Sequence, residues 1–328
     1  MSKELKKFID NKNNSTKLFT PGPASLVLEN LTGLRPCFGR GDIKYEKIEK
    51  RVLKNILKIV GHKKIARLQG AASFALEIMI SNFLFGKILI IKTGVYSDRL
   101  RFMAETSKKK YKYIKKVEYV SYEKLDFIKK KYDWVVACPV ETSIGYKIPI
   151  IKLFELKKKC KAKLALDATA SIGLETNHQL SDVTAFSSCK GLFGLTGGAF
   201  VTFNQNPDNK INEFNFNLFN HLQKKMTGPY HAICSLDGVL KNYKSFSYSV
   251  KLNKKIFIEK MKDFLIYPKK NQPNLCTLIN KKVSTFNKNV VLYQSRADIN
   301  GSVVCHLGEV HLKKASKAKI FKYLKIVK

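Results

Sequence analysis

Three residue clusters carry side chains whose chemistry is out of the ordinary. In KLALDA (163–168) an aspartate, Asp167, closes an apolar run. A carboxylate at the end of a buried strand is costly unless a positive partner meets it. A protonated pyridine nitrogen is such a partner, and a ring kept protonated acts as an electron sink. Lys190 follows 23 residues later, in SSCKGLFGLTGG, directly after the apolar run DVTAFS. Its amine is a nucleophile toward aldehydes. Gly191, Gly194, Gly197 and Gly198 around it set this lysine apart, because a tight glycine-rich turn is an unusual place for a long charged side chain. The third cluster is RLQGAASFALEIMI, where a turn at Gly70 opens a helix with Ser73 in its first turn. Backbone N–H groups at a helix start bind phosphate. An aldehyde, a ring nitrogen and a phosphate are together the handles of pyridoxal 5'-phosphate. Each residue also has a plain reading: Asp167 as a turn cap, Lys190 as one more surface lysine, Ser73 as a helix N-cap.

Elements that could position these residues follow from hydrophobic periodicity. Seven short runs, KIARLQ (64–69), KILIIK (87–92), YKYIKKVEYV (111–120), DWVVAC (133–138), KLALDA (163–168), DVTAFS (182–187) and GAFVTF (198–203), read as strands. Helix-length segments such as SFALEIMISNFLF (73–85), with apolar residues at i, i+3 and i+4, lie between most of them. The alternation predicts an α/β fold, a mostly parallel sheet with helices on both faces and its ligand site beyond the carboxyl ends of the strands. Residues 43–60 predict an amphipathic helix closed by Gly61, and 216–243 read as helical around a break at Gly228–Pro229. Residues 245–328 hold shorter alternating runs and a Lys-rich tail. The expected organisation is an arm over 1–17, a large domain over 18–243 and a small α+β C-terminal domain over 244–328.

The chain's 328 residues are enough for that arrangement. No uncharged apolar stretch reaches the length of a membrane span, and Met1 to Lys17 lacks the apolar core of a secretion signal. Seven scattered cysteines show no metal-ligand spacing. These features predict a cytoplasmic protein with free thiols and neither a metal nor a membrane partner. A formal net charge of +36 raises the possibility of a nucleic-acid partner, yet only seven of the 61 basic residues are Arg and the lysines are spread along the chain. Solvated lysines are the simpler reading, with steering of anionic substrates as a side effect.

Together the motifs resemble the class V aminotransferases over roughly residues 18 to 240. LFTPGP (18–23) resembles the start of that family's catalytic domain, and QGAASFALE (69–77) its phosphate turn, formed here by Ala71, Ala72 and Ser73. TGVYSDR (93–99) is similar to the motif that stacks an aromatic ring, Tyr96, on the pyridine. ETSIGYKIP (141–149) resembles the segment whose hydroxyl, Thr142, meets the cofactor's phenolic oxygen. The Asp167 segment, with Thr169, resembles the ring-nitrogen partner, and Lys190, preceded by Cys189, the Schiff-base lysine. MTGPYH (226–231) resembles the segment lending a threonine, Thr227, to the neighbouring subunit's phosphate. The resemblance implies the pyridoxal-phosphate fold type I, with a seven-stranded sheet, a homodimer with shared active sites, and transfer of an amino group from a small amine or amino acid to a 2-oxo acid. Tyr96 as a core aromatic, and Thr142 and Thr227 as turn or cap residues, remain open beside it.

The sequence departs from the family at several points. Ala71 and Ala72 stand where small polar residues or glycine are usual, and Cys189 where many relatives carry Gln. Lys224 replaces an interface Tyr and is a candidate phosphate contact. GSVVCHLGEV (301–310) resembles the closing segment that supplies an Arg to the substrate carboxylate, but Val303 stands at that position. Either Arg296 or Arg40 replaces the missing cation, or the substrate lacks that carboxylate. The second case favours a lyase or decarboxylase on the same fold. A degenerate fold serving as a basic binding module is the alternative outside enzymes. CFGRGDIKYEKIEKRV (37–52) looks more like 2-aminoethylphosphonate–pyruvate aminotransferases than serine–glyoxylate relatives, while alanine–glyoxylate aminotransferases share the general pattern.

Overall fold

A computed structural model describes residues 3–24, 26–34, 41–308 and 319–327. All seven expected strands form one sheet: β1 (Lys64–Gln69), β2 (Gly86–Lys92), β3 (Ile114–Ser121), β4 (Trp134–Ala137), β5 (Lys163–Asp167), β6 (Val183–Ser187) and β7 (Gly198–Phe203). Their order across the sheet is β1-β7-β6-β5-β4-β2-β3. Only β7 is antiparallel to its neighbours, so the carboxyl ends of the other six share one edge. The alternating side chains of β2 show the layering. Ile88 and Ile90 pack with the helices α2 (Ala72–Phe83) and α3 (Val95–Tyr111), whereas Leu89 and Ile91 pack on the opposite face with α4 (Ile150–Cys160). On that second face α1 (Ile43–Val60) and α5 (Tyr230–Val239) cover Phe186 and Phe200.

Helix α1 forms where the periodicity placed it. Tyr45, Ile48, Val52, Ile56 and Val60 make its buried stripe, and the Asp42 carboxylate caps it by accepting from Lys44 N at 2.9 Å and Tyr45 N at 3.2 Å. Such a cap contributes about 1 kcal/mol. Two expectations are corrected. Helix α2 is buried on nearly all sides of its last two turns, Ala75 to Phe83 apart from Glu77, rather than showing a solvent face. The amphipathic reading failed because β6, β7 and α3 enclose it. The run at 111–120 begins as a strand only at Ile114, since Tyr111 ends α3 and Lys112 turns left-handed.

The 216–243 stretch is helical only at Leu218–Leu222 and in α5, and an 18-residue helix, α6 (Tyr243–Lys260), lies where short runs were expected. Six of its side chains are buried, including Asn253 and Lys254, so its inward face is partly polar and the sequence hides its periodicity. Beyond α6 the strands Cys276–Ile279 and Ser302–Cys305 pair antiparallel. Their residues Cys276, Leu278, Val303 and Cys305 pack with Val140 and Phe193. The N-terminal segment joins the same end of the molecule, Lys17–Phe19 pairing parallel with Val290–Leu292. No helix among the described residues is long and apolar enough to cross a membrane.

At the edge of the sheet away from the strands' carboxyl ends lie two buried histidines. His62 bridges Thr202 Oγ1 through Nδ1 at 3.0 Å and the Ser181 carbonyl through Nε2 at 2.9 Å, so Nε2 carries the proton. His178 Nε2 meets Ser171 Oγ at 2.9 Å. Burial lowers both, and His178 falls to about 4. Because the folded chain takes up the proton less readily than the unfolded one, this stability is complete above pH ~6.5 and is lost as pH falls toward ~4. His178 alone accounts for about 3 kcal/mol over that window. Denaturant midpoints measured across it should drop steeply for the wild type and less for His178→Gln.

Candidate active site

The carboxyl edge of the sheet gathers most of the residues singled out from sequence. Asp167 ends β5 and is 2% exposed. Its Oδ1 accepts from Thr169 N at 3.0 Å and from Thr169 Oγ1 at 2.5 Å. Thr169 therefore orients the carboxylate rather than offering its hydroxyl outward. The other oxygen, Oδ2, lies 3.7 Å from Arg99 Nη2, and the Arg99 guanidinium stands over the Tyr96 ring with its carbon 4.9 Å from the centroid. Lys190 Nζ lies 5.7 Å from the same centroid. Lys190 thus lies over one aromatic ring, and Asp167 is linked to that ring through Arg99. Thr142 is fully buried and its hydroxyl finds no partner among the described residues. A buried orphan hydroxyl calls for a ligand atom.

The lysine loop is held from several directions. Ala24 N donates to Cys189 O at 2.6 Å, and Phe193 N to Lys190 O at 2.8 Å. Phe193 sits at φ 57, a conformation costly for an aromatic residue, and the Asn30 amide fixes its carbonyl at 2.9 Å. Gly22, at φ +122, lies under the lysine stem, and a Cβ there would come within 2.8 Å of Lys190 Cγ. This accounts for the glycine of LFTPGP: it lets the backbone pass against the Lys190 side chain. The Cys189 thiol is half-buried, 3.5 Å from Ser187 Oγ.

Gly70 N donates to Gly197 O at 2.9 Å, so the turn before α2 abuts the glycine loop that follows Lys190. Ala71 is the N-cap and its side chain gives no capping bond; Ser73 lies one residue inside the helix, which removes its reading as the N-cap. Ala71 is exposed, and Ala72 and Ser73 are half-buried, at an N-terminus whose amides point past the strand ends. Thr227 is exposed on a segment seated on Arg67, where a Cβ at Gly228 would lie 2.6 Å from Arg67 Cζ. Lys224 is not poised toward a phosphate. Its ammonium pairs with the buried Glu49, which Arg67 Nε also contacts at 2.5 Å. Burial alone would push the Glu49 carboxyl up, but hydrogen bonds from Lys224 and Arg67 hold it below its ordinary value.

Sequence reasoning missed two members of the site. Arg99 was visible as the i+3 neighbour of Tyr96 on α3, a spacing that puts both on one face. Glu141 is fully buried, and its Oε2 accepts from Tyr96 N at 3.0 Å and Ser97 N at 3.4 Å, while Oε1 accepts from Ser143 Oγ at 2.5 Å. It thereby anchors the start of α3 and the ring of Tyr96. Burial raises its carboxyl, against the pull of those bonds. Glu141→Ala would leave buried amides unpaired and should lower stability by about 2–3 kcal/mol. A thermal melt checks this, with Glu141→Gln retaining part of the loss. Burial and the nearby Asp167 and Glu141 carboxylates push the Cys138 thiol far up, so it is inert.

Val303, 3% exposed, is packed in an apolar cluster with Val140, Phe193 and Cys305 and offers no charge. Arg296 is exposed on the segment following Tyr293. Arg40 lies outside the described residues.

A family model described as Aminotransferase class-V matches residues 41–220, more than half of the chain. Comparison with curated protein sequences gives no match. Among solved structures, the chain is similar to an aspartate aminotransferase of subgroup IV from Thermus thermophilus, with a TM-score of 0.76 and 17% identity over 89% of this chain and 93% of that one. It is similar also to an alanine–glyoxylate aminotransferase from Nostoc sp., with a TM-score of 0.75 and 17% identity over 94% and 95% of the two chains. A phosphoserine aminotransferase from Cytophaga hutchinsonii matches with a TM-score of 0.76 and 16% identity over 94% and 99%. At such identities the structures establish the shared fold, and the family match establishes kinship: the chain is a member of the class V aminotransferase family.

Proposed function

We propose that this enzyme is a pyridoxal-phosphate-dependent aminotransferase that moves an amino group from a small amine or amino acid to a 2-oxo acid. The observation that carries this reading is the grouping of Lys190 and the Asp167–Arg99 pair around Tyr96, together with the unpartnered buried hydroxyl of Thr142. These residues fit the cofactor. Lys190 would bind its aldehyde, Asp167 its ring nitrogen, Tyr96 its ring face and Thr142 its phenolic oxygen. Ser73 and the amides of Ala71 and Ala72, with Thr227 of a neighbouring subunit, would hold its phosphate. Cys189 and Thr169 would border it.

When bound, pyridoxal phosphate supplies an electron sink for the carbon that carries the amino group. The protein's own share is positional and acid–base. Asp167 would keep a proton on the ring nitrogen, and Thr169 fixes the carboxylate's orientation. Lys190 would hold the aldehyde and, as an amine, would serve as the base that moves a proton at the substrate Cα. Tyr96, pinned by Glu141, limits the tilt of the ring. A homodimer and a cytoplasmic setting belong to the same reading, as does a phosphonate-bearing donor suited to so basic a surface.

The apolar Val303 wall favours a lyase or decarboxylase as the second reading. A donor screen against cofactor-loaded protein separates the two. Conversion of the bound cofactor to its amine form, with release of a 2-oxo acid or aldehyde, supports transfer. Protein that takes up no pyridoxal phosphate would defeat both.

A further inference from the structure

We propose, resting on the function above, that Tyr293 and Arg296 receive the substrate's anionic group, Tyr293 as a fixed buried donor and Arg296 as a mobile cation at its solvent side. The strand wall facing the site presents Val303 and Cys305, neither of which can pair with an anion. Tyr293 packs against that wall, and its hydroxyl is buried without a partner among the described residues. It is the second such hydroxyl here, after that of Thr142. Burial raises the Tyr293 phenol far above its usual value, with Tyr96 and the two thiols adding and Arg296 opposing, so it remains a donor at neutral pH.

The segment bearing both residues is tied to the site. Ser295 Oγ donates to the carbonyl of Ser143, next to Thr142, and accepts from Ala297 N at 2.9 Å. A buried donor that nothing in the chain satisfies costs stability unless a ligand meets it. Tyr293 lies near enough to Tyr96 and Arg296 for both to act on its hydroxyl, so a ligand meeting that hydroxyl would be the molecule lying on the cofactor. Arg296, exposed three residues further along, supplies charge without a buried guanidinium. One neutral donor plus one solvated cation binds a carboxylate or a phosphonate with modest strength and little preference between them.

The test uses full-length protein loaded with pyridoxamine 5'-phosphate, mixed with glyoxylate or pyruvate and followed by the cofactor's spectrum. Propionaldehyde serves as the acceptor without a charge. Arg296→Gln should raise the half-saturating 2-oxo acid concentration about tenfold at an unchanged maximal rate, and Arg296→Lys should restore most of the loss. High salt should narrow the gap between wild type and Arg296→Gln. Tyr293→Phe should raise the same concentration roughly threefold to tenfold. Propionaldehyde kinetics should move with neither variant. Unchanged half-saturation in both variants overturns the inference, as does an equal loss for propionaldehyde and 2-oxo acid, and in either case the wild type's turnover leaves the parent reading standing. Wild-type protein that converts no acceptor at all overturns both.

Discussion

Lys190→Ala should abolish the near-visible absorbance of protein mixed with pyridoxal phosphate and cut amino transfer by about a thousandfold or more, the scale of a lost nucleophile and general base. Among the described residues the Lys190 amine is the one found over the Tyr96 ring, with its stem laid against Gly22. Lys224, the other lysine raised by the sequence motifs, is committed to Glu49. The variant should still bind the cofactor non-covalently, because its phosphate, ring-face and ring-nitrogen contacts come from other residues. Absorbance spectra before and after borohydride treatment, together with peptide mapping of the wild-type adduct, check the assignment. A reduced adduct at any lysine other than Lys190 would refute it. Lys190→Arg separates charge from chemistry, since it keeps the cation and loses the reactive amine.

How much of this was legible beforehand depends on the range over which each feature is encoded. The seven strands were readable because a buried parallel sheet writes continuous Val, Ile and Leu runs, and each run maps onto one strand within a few residues. Asp167 and Lys190 were readable because a lone charge at the end of such a run contradicts its surroundings. Helix α6 was not, because Asn253 and Lys254 on its buried side break the apolar stripe, Lys254 donating to the Gln272 carbonyl. The pairing of Arg99 with Asp167 was hidden for a different reason. It joins residues from β5 and α3, 68 positions apart, and no local pattern records such a meeting. Cys276 and Cys305, opposite each other across two strands as free thiols, likewise looked scattered in the sequence. Local signals gave the elements and the unusual residues, while partners set by tertiary packing stayed invisible. Glu141 belongs to this last group: it stood first in a quoted motif, yet its task is defined by amides of another segment.

Asp167→Asn should lower amino transfer by roughly a hundredfold to a thousandfold while leaving cofactor uptake and the Lys190-dependent absorbance largely in place. The substitution keeps shape and one acceptor oxygen, so Thr169 can still donate to it from N and Oγ1. What it removes is the charge that holds a proton on the ring nitrogen. The position of Arg99 makes this loss sharper. With its guanidinium 3.7 Å from Oδ2, the ring nitrogen in Asp167→Asn would face a cation with no carboxylate between them, which disfavours the protonated ring further. Two consequences separate this role from a structural one. Arg99→Gln added to Asp167→Asn should recover part of the lost rate, an outcome that mere misfolding would not produce. A cofactor analogue methylated at the ring nitrogen, which carries its positive charge permanently, should recover part of the rate in Asp167→Asn and give no benefit to the wild type. If neither the second substitution nor the analogue restores turnover, the carboxylate serves only to brace Thr169 and the strand end, and the electron-sink argument for this site fails.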